Sequence, residues 1–280
     1  MVEPPKPLPP VEKLSERVIR ILGGNPGKFT LQGTNTYLLG TGPRRLLIDT
    51  GEGKPIWISQ LKQVLASENI TITAAILTHW HHDHIGGVKD LLSQLSPFIK
   101  IFKNTPQEGW LNITNNQTFS TEGATLRALY CPGHTTDHMA FVLEEEDAMF
   151  TGDNVLGQGT AVFSDYATYM NSLEAMSKHF KGRAYPGHGP VIEDGPAKVL
   201  EYIKHRQARE KQVLDVLEQE RQDAWTSMDI VKVIYKDYPE SLWAPAERGI
   251  VQILEKLVKE DKVLYEEGKG TCSLKRKSAL

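Results

Sequence analysis

The sequence predicts an α/β protein in which a mixed, glycine-rich unit is followed by a helical unit. From about Glu12 to Val191, short apolar strands alternate with glycine turns and helical stretches. Beyond Pro196 glycines become scarce, and residues that favour helices dominate. A third observation is that a histidine or an aspartate follows several of the apolar strands. Together these observations predict a layered α/β unit with a candidate site at its strand ends.

The N-terminal segment, residues 1–11, is predicted to be a disordered leader. Its first ten residues contain five prolines, and they lack both the apolar core of a signal peptide and the arginines of a transit peptide. A β-hairpin is expected next, because two apolar runs, Thr34 to Leu39 and Leu46 to Asp49, flank a turn that contains glycine and proline. Ordered structure is therefore expected from about Glu12 onward.

The densest group of ligand-type residues follows the apolar run Ile72 to Leu77, which is predicted to be a buried strand. The group has the pattern H-x-H-x-D-H, formed by His79, His81, Asp83 and His84. Imidazole and carboxylate together suit zinc, and also iron or manganese. The glycine pair after this motif predicts a turn into a helix. We therefore expect a metal-binding loop between a strand and a helix; the alternative is a solvated histidine-rich loop without a metal.

Three further ligand-type residues each follow a short apolar strand and a glycine. They are His134, Asp153 and His188. A glycine at a strand end lets the backbone approach neighbouring groups closely. Taken singly, each histidine would more often be an ordinary surface or core residue. Taken with the first motif, the three predict a site assembled from four separate loops.

In this order and spacing, the four motifs resemble the metal motifs of the metallo-beta-lactamase superfamily. The resemblance implies an αββα sandwich, with two facing sheets and helices outside, and it implies two zinc ions. It assigns the first ion to His79, His81 and His134. It assigns the second ion to Asp83, His84 and His188, with Asp153 as the bridge between the ions. Asp83 would also serve catalysis by passing protons to and from the reacting water.

The resemblance also separates this chain from some branches of the superfamily. Asp49 matches an upstream aspartate that would orient a metal ligand from behind, whereas His82 occupies a variable position and is expected not to bind metal. His84 and Asp153 are both present, which disfavours a true beta-lactamase. His81 stands where diiron oxygen-reducing relatives carry an acid. The complete set favours a binuclear hydrolase of the glyoxalase II, ribonuclease Z or thioesterase type.

The C-terminal unit is predicted to be winged-helix-like. Apolar periodicity predicts helices over 198–219, 228–235 and 248–259, and residues 262–267 are predicted to form a strand before a glycine turn. From residue 205 to the end there are 14 basic and 14 acidic residues. This balance favours a packing or pocket-lid role over nucleic-acid binding, which needs a basic surface.

These patterns divide the chain into four segments. The metallo-beta-lactamase unit is assigned to residues 12–196 and the helical, winged-helix-like unit to residues 197–270. Residues 271–280 are predicted to be a flexible tail because their end is basic and polar. The predicted leader, residues 1–11, is the fourth segment.

Composition limits the partners and the compartment. The net charge of −3 gives no general attraction to nucleic acid or to an anionic membrane. No apolar run approaches the ~18 residues that a membrane-spanning helix requires. The two cysteines, Cys131 and Cys272, are too few for a disulfide framework and indicate a reducing compartment. We therefore expect a cytoplasmic protein without a membrane partner.

Two closer resemblances bear on the substrate. Residues 25–37, the metal motif, residues 137–140 and the C-terminal unit resemble beta-lactamase-like protein 2, a family that includes single-strand RNA endonucleases of mitochondria. Other segments are more similar to the fungal lactamase-type thioesterases, such as the atrochrysone carboxyl carrier-protein thioesterases, which partner non-reducing polyketide synthases. Those segments are residues 51–55, 144–150, 154–163 and 182–185.

The second resemblance implies a zinc thioesterase that releases an aromatic polyketide from an acyl carrier protein. The alternative is a single-strand RNA endoribonuclease, for which the mitochondrial matrix would be the compartment. A third and different class is a metal-bound interaction module without catalysis. Candidate pocket residues are His138, Phe163 and Tyr166, whose rings could face a flat polyketide or a base. Plain core packing is the alternative for these rings.

Overall fold

A computed structural model describes residues 7–219 and 224–275 of the chain. The first sheet has seven strands that lie side by side in chain order. They are β1 Val11–Lys13, β2 Val18–Leu22, β3 Asn35–Leu39, β4 Arg44–Ile48, β5 Thr71–Leu77, β6 Lys100–Lys103 and β7 Leu111–Asn112. The pairs from β1 to β4 are antiparallel, and the pairs from β4 to β7 are parallel. The predicted hairpin is present as β3 and β4, and β5 is the strand that precedes the first ligand motif.

The second sheet has five strands in the spatial order β12-β11-β10-β9-β8. They are β8 Thr118–Thr121, β9 Ala124–Tyr130, β10 Met139–Leu143, β11 Ala148–Gly152 and β12 Ala184–Pro186. A one-turn 3₁₀ helix, Glu144–Glu146, connects β10 to β11. Only the β11–β12 pair is parallel, and a bulge at its end shifts the register between Phe150 and Gly152.

Helices connect β4 to β5, β5 to β6 and β11 to β12, because a parallel pair needs a long crossover. The helices that pack against the two sheets are α1 Pro55–Ser67, α2 His82–Ile85, α3 Val88–Gln94, α4 Tyr166–Met176 and α5 Gly195–Leu217. Aspartates begin the last two: the Asp165 side chain accepts from the Thr168 N–H, and the Asp194 side chain accepts from the Ala197 N–H. Within the described ranges, no helix combines the length and apolar character that crossing a bilayer requires.

Three apolar cores hold the layers in an αββα order, as predicted. The core between the sheets includes Leu39, Ile48, Ile76, Leu126, Phe141 and Phe150. The second core packs α1 and α3 on the outer face of the first sheet through Leu47, Trp57, Leu61 and Leu91. The third covers the outer face of the second sheet with α4 and α5. Neighbouring residues Leu47 and Ile48 enter different cores because successive side chains of a strand point to opposite faces.

The C-terminal unit has the predicted winged-helix architecture. It contains α6 Ser227–Ile234, a short 3₁₀ helix Glu240–Leu242 and α7 Trp243–Lys259. Its sheet has the order β13-β15-β14, with β13 Trp225–Thr226, β14 Val263–Glu266 and β15 Thr271–Leu274. A capping box formed by Thr226 and Asp229 fixes the start of α6. The buried face of α7 enters the third core, which is therefore shared by both units.

Among the described residues, strands extend into both segments that were predicted to be unstructured. Val11, the last residue of the predicted leader, pairs with Ile21 in the first sheet. Thr271–Leu274, placed in the predicted flexible tail, is a strand because it completes the wing by pairing with β14. Residues 1–6 of the leader and 276–280 of the tail lie outside the described residues. The boundary between residues 196 and 197 stays a prediction; α5 begins at Gly195.

Candidate metal centre

The ligand-type residues lie at one edge of the sandwich, just beyond strand ends. β4 and β5 are parallel, so Asp49 and His79 leave the first sheet at the same edge. In the second sheet, β9 and β11 run in the same direction because both pair antiparallel with β10, and β12 is parallel to β11. The residues that follow these strands are His134, Asp153 and His188. Packing of the two sheets therefore brings residues far apart in sequence to one place.

The first group of possible ligands consists of His79, His81, His134 and Asp153. The Nδ1 atom of His81 lies 2.9 Å from Nε2 of His79 and 3.0 Å from Nε2 of His134. Asp153 Oδ2 lies 3.5 Å from His134 Nε2. All four ligand atoms lie within 4.8 Å of one another. This is the set that the sequence assigned to the first ion, with Asp153 beside it.

The second group consists of Asp83, His84 and His188. Asp83 Oδ2 lies 3.3 Å from Nε2 of His84 and 3.2 Å from Nε2 of His188. Asp153 reaches this group as well, because its Oδ2 lies 3.3 Å from His188 Nε2 and its Oδ1 lies 3.4 Å from His84 Nε2. Asp153 thus stands between the two groups. His82, between the ligand-type residues in sequence, is exposed and belongs to neither group.

Asp49 fixes the orientation of His84 from behind. Its Oδ2 atom lies 2.7 Å from Nδ1 of His84, and its Oδ1 atom accepts a hydrogen bond of 2.8 Å from the Thr78 N–H. The Thr78 hydroxyl donates to Oδ2 as well, at 2.9 Å. This contact at Nδ1 turns Nε2 of His84 toward the site. The contact is consistent with the positioning role that the resemblance implies for Asp49, which stays a prediction.

The histidines of the two groups differ in their protonation. Burial lowers the pKa of His79 well below its ordinary value, and burial also lowers the pKa of His81, so both rings are neutral. At His188 burial acts in the same direction, but the nearby Asp153 charge outweighs it and raises the pKa to about 9. Burial disfavours ionised Asp83, yet the neighbouring His188 and His84 rings hold its pKa far below the usual range.

These residues fit divalent metal ions on three counts. Among the described residues, His84 Nε2 and Asp153 Oδ1 are buried without a hydrogen-bond partner. The single Nδ1 of His81 faces two other ring nitrogens, which one hydrogen bond cannot satisfy. Ligand atoms about 2.0–2.1 Å from a tetrahedral zinc lie about 3.3 Å apart, close to the separations seen here. A His and Asp donor set of this kind forms a divalent metal site.

His138, a candidate pocket residue, lies behind the centre instead of facing a pocket. Its ring is fully buried, and its Nε2 accepts a hydrogen bond of 3.1 Å from the Asp153 N–H. A Cβ at Gly152 would lie 2.5 Å from this nitrogen, so glycine before Asp153 permits the close approach. Burial accordingly lowers the pKa of His138 well below its ordinary value. His138 therefore supports the Asp153 backbone.

A cavity of about 460 Å³ opens onto the centre. The predicted ligands His81, Asp83, His134, Asp153 and His188 line it, together with Lys28, Phe29, Leu31, Leu156, Val162 and Phe163. Phe163 thus lies in the wall, as expected. Tyr166 does not, because α4 begins at this residue and turns the ring into the third core, where 1% of its surface remains exposed. Its hydroxyl donates to the Arg206 carbonyl.

The helical elements of the C-terminal half hold one wall of this cavity. We call residues 157–164 the wall loop. Arg206 of α5 donates to the Ala161 carbonyl at 2.6 Å and places its guanidinium 4.7 Å from the Phe163 ring. Gln252 of α7 donates to the Phe163 carbonyl at 3.3 Å. The Val162 carbonyl lies 2.7 Å from His134 Nδ1, so the same loop also orients a ligand of the first group.

Some residues beside the centre had no role assigned from sequence. Asn35, at the start of β3, donates through its amide to the carbonyls of Pro186 and Gly189, which flank His188. The Thr34 hydroxyl donates to Asp83 Oδ2 at 3.0 Å. Both residues are fully buried. The sequence did contain a sign of this role, because two polar residues stand at the start of an apolar strand. Buried polar groups need hydrogen-bond partners, so such residues are expected to contact other polar groups.

The sandwich, the His and Asp centre and the winged helix define the class of the protein. The family model of the metallo-beta-lactamase superfamily matches residues 29–188, which is more than half of the chain, and that of the beta-lactamase associated winged helix domain matches residues 226–270. The chain belongs to the metallo-beta-lactamase superfamily.

Among curated proteins, similarity extends over nearly the whole chain. The sequence is 48% identical over 268 residues to a protein of Aspergillus chevalieri named atrochrysone carboxyl ACP thioesterase, and the match covers 93% of this chain and 87% of that protein. It is 47% identical over 276 residues to the lactamase-like protein nscB of Aspergillus fumigatus, with 93% and 84% covered.

Solved structures agree on the fold. A beta-lactamase domain protein from Burkholderia ambifaria is similar with a TM-score of 0.80, at 15% identity, over 95% of this chain and 93% of that one. A metallo-beta-lactamase family protein from Thermus thermophilus gives a TM-score of 0.69, at 21% identity, over 96% and 99%. At these identities the similarity shows the fold alone.

Proposed function

We propose that this protein is a zinc-dependent thioesterase that releases an aromatic polyketide from the acyl carrier protein of a non-reducing polyketide synthase. The observation that carries the proposal is the 48% identity, over 93% of the chain, to a protein named as an ACP thioesterase. The predicted ligand set and the cavity above it support a hydrolytic site. The proposed partner is the carrier protein with its acylated pantetheine arm.

Two zinc ions are the proposed cofactor. His79, His81 and His134 would hold one, Asp83, His84 and His188 the other, and Asp153 would bridge them. The bridging role is supported by Asp153 Oδ2, which lies 3.5 Å from His134 Nε2 and 3.3 Å from His188 Nε2. Bound there, the ions would lower the pKa of a coordinated water to about 7 and stabilise negative charge on the substrate carbonyl oxygen.

The remaining steps of the proposed reaction are proton transfer and departure of the thiol. Asp83 lines the cavity, and the family resemblance implies that it would pass protons to and from the attacking water. Oxygen adds to the thioester carbonyl, the C–S bond breaks, and the sulfur leaves on the pantetheine arm. A thiol has an ordinary pKa of about 8.5, so its thiolate leaves without a strong general acid.

The cavity lining favours an acyl group over an RNA strand. Lys28 is the only lysine or arginine among the described lining residues, whereas the walls carry Phe29, Leu31, Val162 and Phe163. Nucleic-acid grooves follow the phosphates with several cationic side chains. An uncharged, flat acyl chain needs apolar walls instead. RNA cleavage is therefore the result that would contradict the proposal in the experiment below.

The test is paired turnover by the zinc-loaded full chain. One substrate is an aromatic acyl thioester on a carrier protein, and the other is a labelled single-stranded RNA. We expect thioester cleavage with the RNA intact. The Asp83→Ala/His84→Ala double variant should lose cleavage by at least about 10³-fold, because it removes two of three groups that hold one ion.

His82→Ala is the matched control, because His82 is an exposed histidine within the same motif that touches neither group. It should turn over as the wild type does. RNA cleavage with an intact thioester would refute the thioesterase and establish the endonuclease. A zinc-loaded protein that cleaves neither substrate would establish a binding module without catalysis.

A cytoplasmic location is the proposed compartment, supported by two free thiols. Cys131 and Cys272 are both buried and unpaired with each other. Burial holds the pKa of Cys131 far above its ordinary value, so its thiol stays protonated. Cys131 is therefore a packing residue beside the centre, and the proposal gives it no nucleophilic role.

A further inference from the structure

One buried hydroxyl contacts the second ligand group without belonging to it. Thr34, immediately before β3, is fully buried, and its Oγ1 donates to Asp83 Oδ2 at 3.0 Å. This is the same oxygen that faces the ring nitrogens of His84 and His188. Thr34 and Asp83 are 49 residues apart in sequence. The contact therefore ties the first sheet's antiparallel half to the metal-binding loop.

The direction of this hydrogen bond is set by Asn25. The Thr34 N–H donates to Asn25 Oδ1 at 2.9 Å, which fixes the amide so that Nδ2 points the other way. Asn25 Nδ2 then donates to Thr34 Oγ1 at 3.0 Å. Because the hydroxyl oxygen already accepts from Asn25, its own hydrogen is free to point at Asp83. Asn25, Thr34 and Asp83 are thus linked by hydrogen bonds in which the donor and the acceptor are each determined. We call these three residues the relay.

The relay begins in a segment that lines the cavity. Residues 24–33 carry Lys28, Phe29 and Leu31, which face the substrate space. The Thr30 hydroxyl donates to the Asn25 carbonyl at 2.6 Å and so closes this segment on itself. Asn25 is 6% exposed, which shelters the relay from competing water. The substrate-facing segment and the metal-binding carboxylate are thus joined by two hydrogen bonds.

We propose that Thr34 is a positioning residue that holds Asp83 for the second metal ion, with Asn25 setting the direction of its hydroxyl. Without this bond Asp83 Oδ2 keeps only partners that the ion itself would compete for, and the side chain can rotate toward the cavity, where its exposed fraction is already 22%. The inference rests on the metal centre of the proposed function. It adds a role for residues outside the ligand set.

The test compares Thr34→Val, which deletes the hydroxyl at nearly constant volume, with Thr34→Ser, which keeps it. The metal-free full chain is titrated with zinc against a chromophoric chelator, and zinc anomalous diffraction from crystals reads the occupancy of each group. For Thr34→Val we expect about 10- to 100-fold weaker zinc binding at Asp83, His84 and His188, the range typical when a residue behind a ligand is lost. Binding at His79, His81 and His134 should be unchanged, and Thr34→Ser should restore both.

Thr36→Val is the matched control. Thr36 is two residues further along the chain, within β3, and equally buried, but its hydroxyl donates to the Ile21 carbonyl and contacts no ligand-type residue. It should lower stability and leave both zinc affinities unchanged. Asn25→Ala should weaken the same group as Thr34→Val and also raise KM, because it loosens the cavity segment.

Equal zinc occupancy of both groups in wild type and Thr34→Val would overturn the proposal. So would a Thr34→Ser variant as impaired as Thr34→Val, since the effect would then come from packing. The substrate is judged separately: a wild type that loads both groups but leaves the thioester intact refutes the thioesterase, while the zinc comparison still decides the role of Thr34.

Discussion

At the residue scale, the centre depends on how each ligand is held as much as on which residues supply it. His84 is fixed by Asp49, His134 by the Val162 carbonyl and the Asp153 backbone by His138. Asp49 and His138 are buried, which shields these two contacts from competing water, and the contacts fix how each supported group is oriented. The consequence is a site whose protonation is coupled to metal binding.

Zinc binding at neutral pH should release protons. His188 has a pKa of about 9, raised by the Asp153 charge against the effect of burial, so it is protonated at pH 7.5 in the metal-free protein. Zinc must displace that proton, and zinc affinity should fall as pH decreases below about 9. Calorimetric titration in two buffers of different protonation enthalpy measures the release.

Unfolding of the metal-free protein depends on the same His188 pKa. Because the pKa of His188 is higher in the folded protein than in the unfolded chain, protonation of His188 stabilises the fold. This stabilisation is complete below pH 6.5 and is lost as pH rises through about 9. His188→Ala should release fewer protons on zinc binding than the wild type. Equal binding heats in both buffers would contradict the shift.

At the element scale, α5 connects the second sheet, the cavity and the winged helix. It is 23 residues long, and it begins with an aspartate cap directly after the His188 loop. One part of its length reaches the wall loop through Arg206, and another part contacts α6, where Arg209 lies 4.3 Å from the Tyr235 ring. The helix therefore contacts both the cavity wall and the C-terminal unit.

Arg206→Met should loosen the wall loop while keeping most of the helix surface covered. The variant loses a charged hydrogen bond to the Ala161 carbonyl and a guanidinium–ring contact with Phe163, together worth about 2–3 kcal/mol. We expect KM for the carrier-bound thioester to rise several-fold with a smaller change in kcat. Steady-state kinetics on the zinc-loaded protein measures both.

Arg209→Met is the control for this variant. It removes the same guanidinium three residues later on the same helix, but its ring partner, Tyr235, lies in the C-terminal unit away from the cavity. Stability should fall while KM is kept. If both variants raised KM equally, a general weakening of α5 would explain the result better than the wall loop.

At the scale of the whole molecule, the two units share one core. Its members include Leu173 and Met176 of α4, Val199 of α5, and Leu254 and Leu257 of α7. Apolar area removed from water contributes roughly 25 cal/mol per Å², so neither unit keeps this contribution alone. The shared core predicts that the two units unfold together, although the family models divide the chain into two.

Leu257→Ala should lower the stability of the entire chain. Leu257 is fully buried in the shared core, and removing such a side chain typically costs about 2–5 kcal/mol. Scanning calorimetry should show a single transition at a lower Tm. Leu264→Ala, at a position 51% exposed in the wing, should change Tm little. Two separated transitions in Leu257→Ala would show that the units unfold independently.

The sequence by itself determined the local features. The apolar runs predicted β5 and the hairpin of β3 and β4, and the loss of glycine after Pro196 predicted the helical unit. The spacing of His79, His81, Asp83 and His84 placed them on one strand-to-helix loop. These features follow from backbone periodicity and turn chemistry, which neighbouring residues settle among themselves.

Only the tertiary structure decided which distant side chains meet. Asp153 stands between the ligand groups, and Thr34 reaches Asp83, because two sheets pack face to face and bring their strand ends together. His138 lies behind the centre and Tyr166 enters the core, although both were expected at the pocket. The periodic spacing of apolar residues predicts that a side chain is buried. Which layer of the fold it enters depends on contacts between residues far apart in the chain. That is why the ligand-type residues could be picked out from the sequence, whereas the residues that contact them required the fold.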